Sequence, residues 1–280
     1  MEITKAVIPI AGLGTRFLPA SKTIPKEIFP LVDKPLIHYA VQELKDSGIT
    51  DIIFVVNSNK KFVEEYFERA IKLEKILEKR REEQLLSELH KIEQLHQGLS
   101  FSYVSEKALG DGHAVLQAAK LVGDNAAVVL YPDDIIYSET PATLQMLSIF
   151  KTAQNPVVGL FKVPAEKLSS YGVIGGEQIA SRLYKVKEIV EKPPFGTAPS
   201  DLASVGRRII TPEVFAYLKK AKPNKKGEIV LFEVLAQMVR DGKLIYGYEL
   251  QGKWLECGNL KEWMRSNVYL ALKDKVLGDE

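Results

Sequence analysis

The stretch "AVIPIAGLGTRFLPASKTIPKE", residues 6–27, decides what kind of fold this sequence forms. It opens with an apolar run typical of a buried strand. Gly12 and Gly14 follow at once and favour a loop whose backbone N–H groups can approach a ligand. The loop lacks the lysine-serine/threonine ending of a P-loop and the third glycine of a dinucleotide site. Arg16 and Lys26 instead supply two cations suited to a polyphosphate, although "GLGTR" alone is equally compatible with an ordinary strand-to-helix turn.

The rest of the first half predicts an α/β fold with a Rossmann-like, mostly parallel sheet and helices on both faces. The predicted strands are "AVIPIA", "TDIIFVVN", "LSFSYVSE" and "NAAVVLYPDD", and the predicted helices are "DKPLIHYAVQELKDSG", with Pro35 in its first turn, and "GHAVLQAAKLVG". In such sheets ligands bind at the carboxyl ends of the strands. The opening loop, the "SEKALGDG" loop and the pair Asp133-Asp134 all follow strands. The sequence therefore predicts a site at this edge.

The second half is richer in strand-like sequence and contains no linker-like break. The predicted strands are "NPVVGLFKV", "YGVIGG", "LYKVKEIVEKP", "LASVGRRIIT" and "KLIYGYELQGKWLECG", and the predicted helices are "TPEVFAYLKKA", "GEIVLFEVLAQMVRDG" and "LKEWMRSNVYLALKD". We therefore expect one domain over residues 1–280 with a continuous mixed sheet. Residues 60–97 form a polar helical insert. The insert either packs one face on the domain, which we favour, or contacts another subunit.

Composition argues against several classes of protein. A net charge of +2 gives no reason to expect nucleic acid or an anionic membrane as a partner. No apolar run approaches the roughly 20 residues of a membrane-spanning helix. Strand-like sequence begins by residue 3, so we expect no secretory signal. Cys257 is the single cysteine, which rules out an internal disulfide and suits a reducing compartment, so we expect a cytoplasmic protein.

An ordered set of motifs carries a family resemblance. The motifs are "AGLGTRFLPASKTIPKEIFPLVDKPLIHYA", the insert "LEKILEKRREEQLL", "GDGHAV", "LYPDD", "YGVI", "VEKP", "APSDLASVGRRIITPEVF", "GEI" and "ECGN". Together they resemble the sugar-1-phosphate nucleotidyltransferases over nearly the full length, and within that family the bacterial uridylyltransferases. A single short motif arises easily by chance, whereas this ordered set does not.

The resemblance implies a nucleotidyltransferase, glycosyltransferase A-like fold. Its nucleotide-binding half covers about 1–135 and its sugar-phosphate-binding half about 136–280. It also implies a reaction in which glucose 1-phosphate attacks the α-phosphorus of UTP with the help of Mg²⁺, giving UDP-glucose and pyrophosphate. We expect a homo-oligomer, either a dimer or a tetramer.

The family's functional positions fall on particular residues of this sequence. The resemblance assigns nucleotide binding to Ala11, Gly12, Gly14, Glu106 and Gly110. Arg16 and Lys26 match the cations that grip the triphosphate, and Asp133 matches the aspartate that binds magnesium, with Glu256 as at most a helper.

On the sugar side, the "VEKP" motif supplies two matches. Glu191 matches the acceptor for a sugar hydroxyl, and Lys192 matches the cation for the sugar phosphate. Gly172 and Val205 match backbone positions that approach the hexose, where little room is left for a side chain.

The base-reading position departs from the family. Its usual glutamine corresponds to Glu106 when counted from the preceding strand, which we prefer, or to Ser105 when counted back from His113. A carboxylate accepts a hydrogen bond from uracil N3–H but cannot donate to O4. A thymidylyl- or guanylyltransferase therefore remains an alternative, as does a weakly catalytic paralogue that binds nucleotide sugars. His113 itself reads as an ordinary helix residue, since the chain offers no zinc-ligand cluster.

Two further departures lie in the second half. Glu256 stands in "LECGN" where the family usually has aspartate. After Glu228, the family's glutamine, threonine and aspartate are replaced by Val230, Phe232 and Glu233, which makes the following helix more apolar.

Overall fold

The computed structural model describes residues 2–57, 60–107, 109–274 and 278. The strands of this described part are β1 (Lys5–Ile10), β2 (Pro30–Leu31), β3 (Lys34–Pro35), β4 (Asp51–Val56), β5 (Ser100–Ser105), β6 (Ala127–Leu130), β7 (Asp134–Tyr137), β8 (Val157–Lys162), β9 (Gly172–Ala180), β10 (Leu183–Glu191), β11 (Leu202–Ile210), β12 (Tyr246–Glu249) and β13 (Lys253–Glu256). The α-helices are α1 (Leu36–Asp46), α2 (Lys60–Phe67), α3 (Ile71–Arg80), α4 (Glu83–His96), α5 (Asp111–Gln117), α6 (Ala119–Val122), α7 (Ala142–Ala153), α8 (Pro212–Lys220), α9 (Leu231–Arg240) and α10 (Leu260–Ala271).

One sheet runs through both halves of the chain, in the strand order β5-β4-β1-β6-β11-β8-β12-β10-β9. The four strands from the first half are parallel to one another. From β6 onward most pairings in the described part of the chain are antiparallel, and β8 and β12 pair in parallel. The predicted mixed sheet is confirmed, with its parallel region in the first half. The carboxyl ends of β1 and β6 therefore meet at one edge, as expected.

Helices cover both faces of the sheet. On one face α5, α8 and α9 bury apolar residues such as Val115, Leu218 and Leu235 against the strands. On the other face α1 and α7 do the same with Ile37 and Met146. A smaller cluster joins α10 to the short β7–β13 sheet. None of the helices in the described part of the chain has the length and apolar character of a membrane-spanning segment.

Three local predictions need correction. Helix α7 is absent from the predicted elements, because Thr143 and Gln145 lie on its buried face and break the apolar pattern. Helix α9 begins only at Leu231, since the preceding Ile229 hydrogen-bonds through its backbone to Leu109 and Gly112. Pro35 precedes α1 with extended backbone rather than lying in its first turn.

A fourth correction concerns the segment before the Asp133-Asp134 pair. The predicted strand over 125–134 stops at Leu130, and a turn carries the chain into β7, which pairs with β13. Asp133 therefore lies in the turn between the two sheets rather than at the end of a strand. The helical insert packs one face on the domain through Val63, Phe67 and Leu95.

A buried ion pair connects helix α1 of the first half to strand β11 of the second. Arg207 of β11, 1% exposed, donates to both carboxylate oxygens of Glu43 of α1, at 2.8 and 2.7 Å. Thr143 of α7 donates to the same carboxylate. Arg207 also donates to the carbonyls of Tyr131 and Gly206, beside the turn that carries Asp133. Burial opposes ionisation of Glu43, but Arg207 holds the pKa of this carboxyl below its ordinary value.

Breaking this pair should destabilise the fold strongly. Arg207→Met leaves a charged carboxylate buried without its partner, and we expect a loss of about 3–5 kcal/mol in the free energy of unfolding. The double variant Arg207→Met/Glu43→Leu removes both charges and should recover most of that loss. Urea unfolding of the three proteins measures both effects. A single variant as stable as the parent chain would contradict the structural role.

Candidate active site

A cleft of about 480 Å³ opens between the two halves at the predicted edge of the sheet. Four predicted residues line it, namely Arg16 and Asp133 from the first half and Lys192 and Glu256 from the second. These residues are distant in sequence, so the fold alone brings the two pairs together. Gly258 of the "ECGN" motif, in the second half, lies directly beside the first-half residues of the cleft. A Cβ built on it would be 3.4 Å from Asp133 Oδ2 and 3.5 Å from Arg16 Nη1.

The opening loop has the tight geometry that its glycines predict. Gly14 adopts φ 64°, in the left-handed region, and starts the short 3₁₀ turn Thr15–Phe17 that carries Arg16. Phe17 is buried and packs edge-on against Phe29, with ring centroids 4.9 Å apart. Gly12 faces open space, where a bound group can approach the backbone. The backbone at Gly12 is therefore accessible to a ligand, while Phe17 anchors the loop in the core.

Lys26 links this loop to Asp133. Its Nζ donates to Asp133 Oδ2 at 2.5 Å, and each side chain is only about one-fifth exposed, at 21% and 20%. Burial disfavours the charged forms of both side chains, lowering the pKa of Lys26 and raising that of Asp133. Even so, Asp133 and Glu27 raise the pKa of Lys26 above its ordinary value, and Lys26 holds the pKa of Asp133 below its own. Both groups are therefore charged at neutral pH.

The β7–β13 pairing positions the other acidic groups. Glu256 stands opposite Asp134 in this two-stranded sheet. Oε2 of Glu256 accepts from the Tyr171 hydroxyl at 2.5 Å, and Oε1 accepts from Asn259 at 3.1 Å. Asp134 accepts from Trp254 Nε1 and from the Gly206 backbone. Burial and repulsion from Asp133 raise the pKa of Asp134 to about 6.

The sugar-side predictions fall beside Lys192. Gly172 and Glu191 are cross-strand partners on β9 and β10, and a Cβ on Gly172 would come within 3.0 Å of Glu191 Oε2. Lys192 follows with φ 47°, an uncommon backbone conformation for a non-glycine residue. Its Nζ lies 3.3 Å from Glu191 Oε1. Such outliers concentrate at binding sites.

On the sugar side, the placement of Phe232 and Val205 differs from what the family resemblance alone implies. The ring of Phe232 lies against Gly172, so that a Cβ there would approach the ring to 2.3 Å. Phe232 therefore shapes this wall at a position where the family has threonine. The side chain of Val205 is buried in the core below, and its neighbour Ser204 lines the cleft instead.

The predicted base-reading residue is engaged within the protein. Glu106 Oε1 lies 2.6 Å from His113 Nδ1, and His113 Nε2 lies 3.3 Å from the amide of Gln117. The side chain of Glu106 is 2% exposed. His113 is therefore more than the ordinary helix residue that its sequence suggests, since it orients Glu106.

The remaining predicted residues of the nucleotide side are Ala11 and Gly110. The Ala11 carbonyl accepts from Asn57 Nδ2 at 3.2 Å. Gly110 adopts φ 104°, and a Cβ there would strike the Ile229 carbonyl at 2.4 Å, so this glycine packs directly against the second half. Neither residue lines the cleft described above.

Sequence reasoning missed several residues of the cleft. They are Lys167, Ser170, Tyr171, Ser204, Trp254, Asn259 and Glu262. Tyr171 and Asn259 lie within the "YGVI" and "ECGN" motifs, which was the signal available for them. Lys167 and Glu262, an ion pair at 3.5 Å, carry no motif.

The cleft supplies only some of the oxygen ligands that a divalent ion requires. Among the described residues, no three His, Cys, Asp or Glu side chains are grouped as a complete metal site. Asp133 and Glu256 nevertheless line one cleft. Mg²⁺ usually takes one or two carboxylates and completes its shell with phosphates and water. The residues present therefore fit an ion that takes one or two carboxylates and completes its shell with water or phosphate oxygens.

Comparison with known proteins identifies the family. The model of the nucleotidyl transferase family matches residues 5–271. A UTP–glucose-1-phosphate uridylyltransferase of Bacillus subtilis is 38% identical over 280 residues, which are 100% of this chain and 94% of that protein. A UDP-glucose pyrophosphorylase complexed with UDP-glucose superposes with a TM-score of 0.87 at 36% identity, covering 97% of this chain and 100% of that one. A UTP-bound UGPase from Acinetobacter baumannii gives 0.88 at 35% identity, covering 99% and 96%. The chain, with the cleft and the motifs described above, therefore belongs to the nucleotidyl transferase family.

Proposed function

We propose that the chain converts UTP and glucose 1-phosphate to UDP-glucose and pyrophosphate. One observation carries the proposal: Arg16 and Asp133 of the first half and Lys192 and Glu256 of the second line a single cleft. Relatives and solved neighbours at 35–39% identity over nearly the full length include uridylyltransferases and UDP-glucose pyrophosphorylases.

The reaction requires that the two substrates be positioned and that cations lie at their phosphates; it does not require a protein nucleophile. A phosphate monoester has a second pKa near 6, so the attacking oxygen of glucose 1-phosphate is anionic at neutral pH. The difficulty is to bring this anion to the α-phosphorus of the triphosphate. Lys192 is proposed to hold the sugar phosphate, while Arg16 and Lys26 hold the nucleotide. Preorganised cations of this kind lower the barrier by stabilising charge that develops in the transition state.

Nucleotidyl transfer of this type generally uses a divalent metal, and we propose Mg²⁺. Asp133 would hold the ion, with Glu256 as a helper, and the bound ion would supply charge neutralisation at the phosphates. Glu256 is restrained because both of its oxygens already accept hydrogen bonds, from Tyr171 and Asn259. This restraint supports the helper role.

The cellular setting and organisation are part of the same proposal. A single domain with a nucleotide half over about 1–135 and a sugar half over about 136–280 accounts for a cleft lined from both sides. We propose a cytoplasmic dimer or tetramer. The single, buried Cys257 agrees with a reducing compartment.

Nucleotide specificity provides the direct test. Pyrophosphate release is measured from UTP, dTTP, GTP and ATP with glucose 1-phosphate, with and without Mg²⁺. We expect the highest specificity constant for UTP, with some use of dTTP because uracil and thymine share the same Watson–Crick edge. Equal or better use of dTTP or GTP would assign the chain to a thymidylyl- or guanylyltransferase. Binding of UDP-glucose without turnover of any pair would indicate the weakly catalytic paralogue.

A further inference from the structure

Lys26 lies between two carboxylates from different parts of the chain. Its Nζ is 2.5 Å from Asp133 Oδ2 and 4.0 Å from Oε1 of Glu27. Asp133 follows β6, 107 residues further along the chain. The ammonium therefore makes one short ion pair and has a second acceptor within reach.

Glu27 has an unused acceptor. Its side chain is 4% exposed, and its Oε1 is buried with no hydrogen-bond partner among the described protein groups. A buried carboxylate oxygen without a donor is unfavourable. Among the described residues, Lys26 is the cation within ion-pair distance of this oxygen. A shift of the ammonium toward Glu27 would satisfy it.

The site gives Lys26 a reason to shift. A divalent ion bound to Asp133 would repel the ammonium that now lies 2.5 Å from its Oδ2, because two cations repel at short range. Lys26 and Glu27 also line a small cavity together with Gly12 and Gly14. Movement toward Glu27 therefore keeps the ammonium beside the opening loop, where the nucleotide phosphates are proposed to bind.

We propose that Glu27 is a positioning residue that receives the Lys26 ammonium when a divalent ion takes Asp133. Glu27 then holds this ammonium beside the nucleotide phosphates. The inference rests on the proposed metal role of Asp133. It adds to that role a coupling between metal binding and the position of Lys26.

A double-mutant cycle on metal affinity tests this coupling. Mn²⁺ binding to the full chain without nucleotide is titrated by electron paramagnetic resonance. The pH is kept above neutral so that Glu27 is ionised, because burial raises the pKa of this carboxyl to about 7. Lys26→Met removes the competing ammonium and should tighten Mn²⁺ binding. Glu27→Gln removes the receiving carboxylate and should weaken it by about fivefold or more, the lower end of ordinary coupling between sites. In the Lys26→Met background, Glu27→Gln should have almost no effect.

The same cycle separates this mechanism from a simple field effect. If Glu27 acted only through its charge, Glu27→Gln would weaken Mn²⁺ binding equally in both backgrounds, and the proposal would be wrong. Glu262→Gln is the matched control, since it removes a carboxylate that lines the cleft and pairs with Lys167 rather than with Lys26. Its effect should be the same with and without Lys26→Met.

Two further variants keep the result interpretable. Glu27→Asp keeps the charge on a side chain that is one methylene shorter. It should weaken Mn²⁺ binding, but by less than Glu27→Gln. Thermal unfolding identifies any variant that fails to fold. Asp133→Asn should abolish Mn²⁺ binding, so that the signal of free Mn²⁺ is not diminished by the protein. Normal Mn²⁺ binding by Asp133→Asn would refute the proposed metal site itself, whereas loss of binding there with an additive cycle would refute only the role of Glu27.

Discussion

Asp133→Asn is expected to lower turnover roughly a thousandfold at any Mg²⁺ concentration, since a metal ion contributes several kcal/mol to stabilising charge in the transition state. Asp133 lies in the turn after β6, and a short ion pair with Lys26 keeps its carboxylate charged. The asparagine variant keeps the shape but loses that charge. Initial rates over a Mg²⁺ titration measure the effect.

Glu256→Gln is the matched comparison. Glutamine can still accept from Tyr171 or Asn259, the two groups that orient the present side chain. We expect a higher Mg²⁺ requirement with most of the maximal rate retained. Normal turnover by Asp133→Asn, or an inactive but folded Glu256→Gln, would mean that the metal is held differently. Thermal unfolding is needed as a control, because Asp133→Asn also removes the partner of Lys26.

Lys192→Ala is expected to lower the specificity constant for glucose 1-phosphate by about a hundredfold, the usual contribution of a charge aimed at a reacting phosphate. The backbone holds this residue in place, since its N–H donates to the Tyr171 carbonyl and its φ is 47°. The loss should be confined to the sugar substrate. Calorimetry should therefore find UTP binding unchanged.

Lys167→Ala serves as the control for this variant. Lys167 is another cation of the same cleft and, like Lys192, it has a carboxylate partner, Glu262 at 3.5 Å. We expect a clearly smaller loss than for Lys192→Ala, because no motif assigns Lys167 to the sugar phosphate. Weaker UTP binding by Lys192→Ala, with glucose 1-phosphate unaffected, would reverse the assignment of the two sides of the cleft.

Local chemistry explains why part of the site could be predicted. Gly14 needs a left-handed backbone, and a glycine between a buried strand and an arginine already indicates such a loop. Asp133 follows the apolar stretch "AAVVLYP", so its place at the edge of the sheet could be inferred. The family resemblance then assigned roles to Lys192 and Glu256, and the fold brings both into the same cleft.

Other features depend on partners that are remote in sequence. Helix α7 escaped prediction because the polar residues on its buried face are satisfied elsewhere, Thr143 by Glu43 and Gln145 by the backbone of Gln251. The contact between Glu106 and His113 crosses a loop, so the hydrophobic periodicity of the sequence does not predict it. These side chains look ordinary until their partners are known.

The sequence by itself determined the α/β class, the parallel direction of the strands in the first half and the edge at which the site lies, because these follow from periodicity and from residues adjacent in the chain. Only the tertiary structure decided that Lys26 pairs with Asp133 and that Glu27 is buried beside it with an unused oxygen. The physical reason is that charge pairing and desolvation depend on distances in space. Burial and repulsion can be assigned to a carboxylate only once the opposing elements are in place.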